Sequence, residues 1–197
     1  MQKGKVVILG GTPRAGKTTL ANMLTRSGFN LISFDSISQA IKDGLPEIKI
    51  EDWTDQEQCS KKLYPFFEAL IKGYIGSEGQ MFGLTGLNYV VDMYTFSPEY
   101  INKLPFQNEI KVYFLGYPNQ SIEEIRHNIK FYAEPADWIA QVDEEYLTVV
   151  AQRCYFVNQK TWEQCQKYGY EFIDTDAGDN RNTILNDLFN KIITDLK

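Results

Sequence analysis

A three-layer α/β/α arrangement around a five-stranded parallel sheet is the fold that this sequence predicts. Three observations carry it. Apolar runs such as Val6-Val7-Ile8-Leu9, Tyr89-Val90-Val91 and Val112-Tyr113-Phe114-Leu115 have the unbroken form of strands buried on both faces. Segments whose apolar residues recur at three and four alternate with those runs, as crossover helices do in βαβ units. The turn between the first run and the first such segment is rich in glycine, which lets backbone approach a ligand closely.

The elements follow in order. Residues 5–10 form the first strand, and Leu20, Met23 and Leu24 mark a helix from Gly16 to Arg26 that Ser27-Gly28 stops. Leu31-Ile32-Ser33-Phe34 is a second strand ending at Asp35-Ser36. Residues 36–86 hold no core strand and read as a helical insertion: Leu63, Phe66, Phe67, Leu70, Ile71 and Tyr74 make its stripe. Lys42 to Glu57, polar and interrupted by Gly44 and Pro46, reads as loop, and Gly73, Gly76, Gly79, Gly83 and Gly86 predict a flexible exit suited to a lid.

Asn88-Tyr89-Val90-Val91-Asp92 is the third strand and residues 111–115 the fourth, closed by Gly116-Tyr117-Pro118. Ser121 and Glu124 have capping-box spacing before a helix from Ile122 to Phe131. Residues 132–142 read as loop, Asp143-Glu144-Glu145 as an acidic helix start, and Tyr146, Val149, Val150, Cys154 and Val157 as the apolar face of that helix. Arg153 falls within this face, so it either snorkels past the core or points into a phosphate site. Tyr170 to Ile173 is the last strand, and Ile184, Leu185, Leu188, Phe189, Ile192, Ile193 and Leu196 stripe the final helix.

Composition narrows the function classes. The chain has 197 residues, 43% hydrophobic and 23% charged, which suits one folded domain with a helical insertion (about 36–86) and a lid region (about 117–153). A net charge of -6, with no run of Lys or Arg, argues against a nucleic-acid partner. The three cysteines, with no C-x-x-C pair, argue against a disulfide framework and a zinc site and fit reduced thiols in the cytoplasm. No apolar stretch suits a secretory leader or a membrane span.

The chemistry concentrates in Gly11-Thr12-Pro13-Arg14-Ala15-Gly16-Lys17-Thr18, followed by Thr19. The spacing G-x-x-x-x-G-K-[ST] is that of a phosphate-binding loop, in which successive N–H groups turn inward on the phosphates of a nucleotide. Lys17 would reach the β/γ-phosphates and the Thr18 hydroxyl would take a place on Mg²⁺. Asp92, an acid closing an apolar strand after such a loop, has the Walker B form and would hold the same metal. Asp35 closes the second strand on the side where α/β folds bind ligands. His127, the only histidine, reads as a surface residue, and Trp53, Tyr64, Phe66, Phe67, Tyr74 and Phe82 read as core rather than substrate contacts.

These motifs resemble those of the P-loop small-molecule kinases, the nucleoside monophosphate kinase, shikimate kinase and chloramphenicol phosphotransferase type. The resemblance rests on the loop, Ile32 to Ser36, Tyr89 to Asp92, Tyr117 to Arg153 and Phe172 to Thr175, and spans essentially the whole chain. It implies a P-loop NTPase fold, ATP and Mg²⁺ as cofactors, Asp35 at the acceptor hydroxyl as base or orienter, and Arg126 and Arg153 as lid arginines at the transferring phosphoryl group. It also implies that Asp174 and Thr175 lie beside the base. Dense lid arginines are missing and 36–86 shows no nucleotide-monophosphate signature, which leaves the acceptor open. The expectation is an ATP-dependent phosphotransferase acting on a small hydroxyl or phosphate acceptor. The alternative is a nucleotide-binding switch or regulatory ATPase/GTPase with a protein partner; Asp92-Met93-Tyr94-Thr95 lacks the D-x-x-G of GTPase switches.

Overall fold

The structure, a computed structural model, describes residues 5–52, 55–75, 86–133, 138–175 and 180–196. Five strands, β1 (Val6–Gly11), β2 (Phe29–Ser33), β3 (Asn88–Asp92), β4 (Ile110–Gly116) and β5 (Glu171–Asp174), pair in the order β2-β3-β1-β4-β5, every pair parallel. The helices are α1 (Lys17–Arg26), α2 (Phe34–Gly44), α3 (Gln56–Ile75), α4 (Pro98–Asn102), α5 (Ile122–Phe131), α6 (Glu144–Tyr168) and α7 (Arg181–Asp195), with short 3₁₀ turns at Pro46–Ile48 and Trp138–Gln141.

The twofold alternation of side chains along β1 sets up the layers. Val7 and Leu9 face a core shared with Leu20 and Leu24 of α1, Ile125 of α5, Leu147 of α6 and Leu188 of α7. Val6 and Ile8 face the opposite core, formed with Phe34 and Ile41 of α2, Leu63 and Phe67 of α3, and Ile101 of α4. β1 is central and buried throughout, which explains its unbroken apolar sequence. Register brings Leu9 and Ser33 opposite Asp92, so the carboxyl ends of β1, β2 and β3 finish together. The order of the sheet reverses beside β1, and the crevice of such folds opens there.

Three expectations need correcting. The second strand ends at Ser33 rather than Phe34, and Ser33 caps α2 directly, its side-chain oxygen accepting from the Ser36 N–H. Asp35 therefore sits in the first turn of a helix, and Lys42–Gly44, expected as loop, are the last turn of that helix. The stripe of α2, Phe34, Ser38 and Ile41, was concealed by Ser38, a buried hydroxyl that meets Thr95 Oγ1 at 3.2 Å. The buried face of α6 is Leu147, Ala151, Cys154, Asn158, Thr161 and Cys165; it shares Cys154 with the predicted face but is rotated from it, and two of its members are polar. Tyr146 and Val149 are exposed, and so is Arg153.

The capping box at Ser121 and Glu124 is formed, and Asp143 caps α6 through the Tyr146 N–H. Gly76, Gly79, Gly83, Phe82, Trp53 and lid residues 134–137 lie outside the described residues.

Phe67 is fully buried, with ring centroids 4.3 Å from Phe96 and 5.0 Å from Phe34. Its neighbour Phe66 is 45% exposed. Phe67→Ala is expected to cost about 3–5 kcal/mol of unfolding free energy. Phe66→Ala is expected to cost about 1 kcal/mol or less. Denaturant unfolding of the two variants checks the difference.

Candidate active site

The loop between β1 and α1 depends on backbone that few residues adopt. Gly11 has φ 110°, Gly16 φ 91° and Arg14 φ 65°, all left-handed. A Cβ on Gly11 would stand 2.2 Å from the Leu115 carbonyl oxygen, which already accepts the Thr12 N–H at 2.9 Å. Three successive loop residues are each tied to a different later element. Thr12 Oγ1 donates to Asn158 Oδ1 of α6 at 3.0 Å. The Tyr117 hydroxyl, just past β4, donates to the Pro13 carbonyl at 2.8 Å. Arg181, the first residue of α7, donates to the Arg14 carbonyl. Ala15 is buried beneath the turn, while Thr18 and Thr19 open onto the cleft.

Lys17 is buried, and its Nζ donates to the carbonyls of Thr12 at 2.7 Å and Gly11 at 3.3 Å. Burial pulls the ammonium below the ordinary lysine range, against the opposing pull of Asp92 and Asp35. Thr18 Oγ1 donates to Asp92 Oδ2 at 2.7 Å, so the two residues expected at the metal are already in contact. Asp35 faces the same cleft, its Oδ1 accepting the Tyr94 N–H at 2.9 Å and the Thr95 hydroxyl at 3.4 Å. Asp35 is reachable by solvent, yet the protein packed around it raises its carboxyl above the usual range. The Tyr94 N–H and Lys17 oppose that rise, and the charge of Asp92 adds to it.

These residues line one cleft of about 980 Å³ that runs from Asp35, Asp92 and Tyr94, past the loop, to Thr175, Tyr132, Arg181 and Asn182. Its mixed floor of hydrogen-bond donors and two carboxylates suits a phosphorylated ligand and a divalent cation. A thiol or imidazole metal set would need other residues, and no cluster of three or more His, Cys, Asp or Glu suited to a metal occurs among the described residues. Thr175 is buried at the cleft wall, where its N–H and hydroxyl both donate to the Gly116 carbonyl, and Asp174 Oδ2 accepts from Asn119 at 3.3 Å.

The two predicted lid arginines lie elsewhere. Arg126 pairs with Glu144 at 3.1 Å, beside His127 and Lys130 in a separate groove between α5 and α6. Arg153 stands on the exposed side of α6, where its charge is felt by the Tyr94 phenol at the Asp35 end of the cleft. The arginine that does line the cleft, together with Arg14, is Arg181, whose guanidinium stacks 5.7 Å from the Tyr132 ring. It was legible in one respect: a cation in the first turn of a helix opposes the helix dipole and needs a reason to be there. Tyr94 and Asn158 carried no comparable signal.

Over nearly its whole length the chain is similar to solved structures. These include the Thermus thermophilus protein TT1252, with a TM-score of 0.52 at 12% identity over 100% of both chains. A gluconokinase from Sinorhizobium meliloti gives a TM-score of 0.49 at 14% identity, covering 98% of this chain and 97% of that one. A shikimate kinase from Acinetobacter baumannii gives 0.46 at 14%, covering 98% and 96%. No family model and no curated protein matches the sequence. At such identities the likeness is one of fold alone, a five-stranded parallel sheet with helices packed on both faces, as the sequence predicts.

Because the folded-state pKa of Asp35 lies above its unfolded value, the folded protein holds the extra proton between the two values, and stability is lost as pH rises through that window. Asp35→Asn keeps the Oδ1 acceptor and removes the charge. It is expected to melt higher than the parent at neutral pH, with the gap closing as pH falls through the carboxylate range. Thermal melts at two pH values check this.

Proposed function

We propose that this chain is an ATP-dependent phosphotransferase that moves the γ-phosphate of ATP·Mg to a small-molecule hydroxyl or phosphate acceptor. The observation that carries the reading is the pair of carboxylates beside Lys17, one closing β3 and the other in the first turn of α2. One, Asp92, is bonded to Thr18; the other, Asp35, is held by a backbone N–H and holds its proton more tightly than an ordinary carboxyl. Binding and hydrolysis need the first. Transfer to an acceptor uses the second.

In this reading the residues Gly11 to Thr19 wrap the phosphates, and Lys17 leaves the carbonyls of Gly11 and Thr12 to neutralise the β/γ oxygens. Thr18 and Asp92 hold Mg²⁺, which supplies further neutralisation of phosphate charge. Asp35 orients the acceptor hydroxyl and takes its proton, a task for which a raised pKa makes it a better base. Asp174 and Thr175 flank the base. In this reading Arg153, whose charge reaches the Tyr94 phenol, turns in toward the acceptor end, and Arg126 first leaves Glu144. Both side chains stand in solvent, so the pair is screened and does not forbid the move. On the same reading α2 and α3 on one side and α5 and α6 on the other cover the acceptor within one catalytic unit, with no nucleic acid or membrane required. No helix among the described residues is long and apolar enough to cross a membrane. The buried thiols of Cys59, Cys154 and Cys165, none of them in a disulfide, suit a cytoplasmic enzyme.

The test is ADP release with ATP·Mg across a panel of hydroxyl and phosphate metabolites. One or more acceptors are expected to raise turnover. Lys17→Ala is expected to lower it by at least about a hundredfold. Asp35→Asn is expected to lower kcat by roughly 10²–10⁴-fold while ATP affinity holds. Turnover that no acceptor changes would move the assignment to the nucleotide switch.

A further inference from the structure

We infer that Asn158 is a positioning residue for the phosphate loop, fixing its first turn in the shape that receives a polyphosphate. The inference leans on the phosphotransferase reading only for the ligand used to test it. Asn158 is 0% exposed, midway along α6, in a buried row otherwise formed by Leu147, Ala151, Cys154, Thr161 and Cys165. Its Oδ1 accepts two hydrogen bonds, from Thr12 Oγ1 at 3.0 Å and from the Tyr117 N–H at 2.8 Å. The second donor is backbone, so the oxygen and not the nitrogen must face the loop.

The rest of the side chain is poorly served. Nδ2 is buried and finds no partner among the described residues, and the same holds for Thr161 Oγ1, one turn further along α6. A leucine of similar shape would avoid the unmet donor. What leucine cannot supply is an acceptor at this point. Gly116 is shaped around the same oxygen, since a Cβ there would stand 2.4 Å from Asn158 Oδ1.

Thr12 is 0% exposed, its hydroxyl turned away from the cleft and toward Asn158. Its N–H is held by Leu115, and its carbonyl accepts from Lys17 Nζ. With the side chain also fixed, the peptide leading into Pro13 and Arg14 has one orientation, and the ammonium of Lys17 has one resting place. Site geometry prepared before the ligand arrives shows as affinity.

The test uses the full chain and four variants: Asn158→Leu, Thr12→Val, Thr12→Ser and the double variant Asn158→Leu/Thr12→Val. Calorimetric titration with a non-hydrolysable ATP·Mg analogue is expected to show Asn158→Leu binding roughly tenfold more weakly, the scale of one buried hydrogen bond. Thr12→Val is expected to weaken binding similarly, Thr12→Ser to restore it, and the double variant to be no worse than the poorer single. In unliganded protein, the amides of Gly11 to Gly16 are expected to exchange faster in Asn158→Leu while those of β1 and β4 do not change. Unchanged affinity with unchanged loop exchange, or additive losses in the double variant, would overturn the inference. If the parent binds no nucleotide, the functional reading fails, and loop exchange alone still decides the role of Asn158.

Discussion

β1 and β3 pair in parallel with Leu9 opposite Asp92, and the candidate site follows from that register. A slip by one residue would turn Val90 and Val91 to the wrong layers and carry Asp92 away from Thr18, so the two apolar cores and the Thr18–Asp92 hydrogen bond fix each other. The same alignment brings Ser33 of β2 level with Asp92, which delivers Asp35 to the cleft two residues later. Chemistry at this end of the sheet is thus set by packing in the middle of it.

The loop itself is held from outside more than from within. Left-handed Arg14 and the two glycines have little intrinsic reason to keep their shape, and Thr12, Pro13 and Arg14 are each fastened by a partner that arrives more than a hundred residues later. A short motif of this kind acquires its geometry only when α6, the β4 exit and α7 are in place. Local sequence encodes the permission to curl; tertiary contacts encode the curl.

That division explains what could be read in advance. Strand β3, helix α5 with its capping box, and the phosphate loop were legible because each is specified by neighbouring residues: an apolar run, a Ser-x-x-Glu spacing, a glycine pattern. Helix α2 and the buried face of α6 depart from the apolar pattern for one shared reason, which is that Ser38, Asn158 and Thr161 are polar residues at core positions. Their partners, where they have them, are far away in sequence, so hydrophobic periodicity points to the wrong face. The arginines failed differently. Arg126 and Arg153 were read from their place in the chain, whereas the neighbourhood of a long side chain depends on how two helices meet, as the Glu144 pairing shows.

β2 passes into α2 with no residue between them, Ser33 being the end of one and the cap of the other. A junction of this kind has no length to vary. Insertions and deletions cannot be absorbed there without detaching the Asp35 carboxylate from the sheet. The corner at Ser33 is the fixed point of the cleft, and variation in chain length has to fall beyond α2.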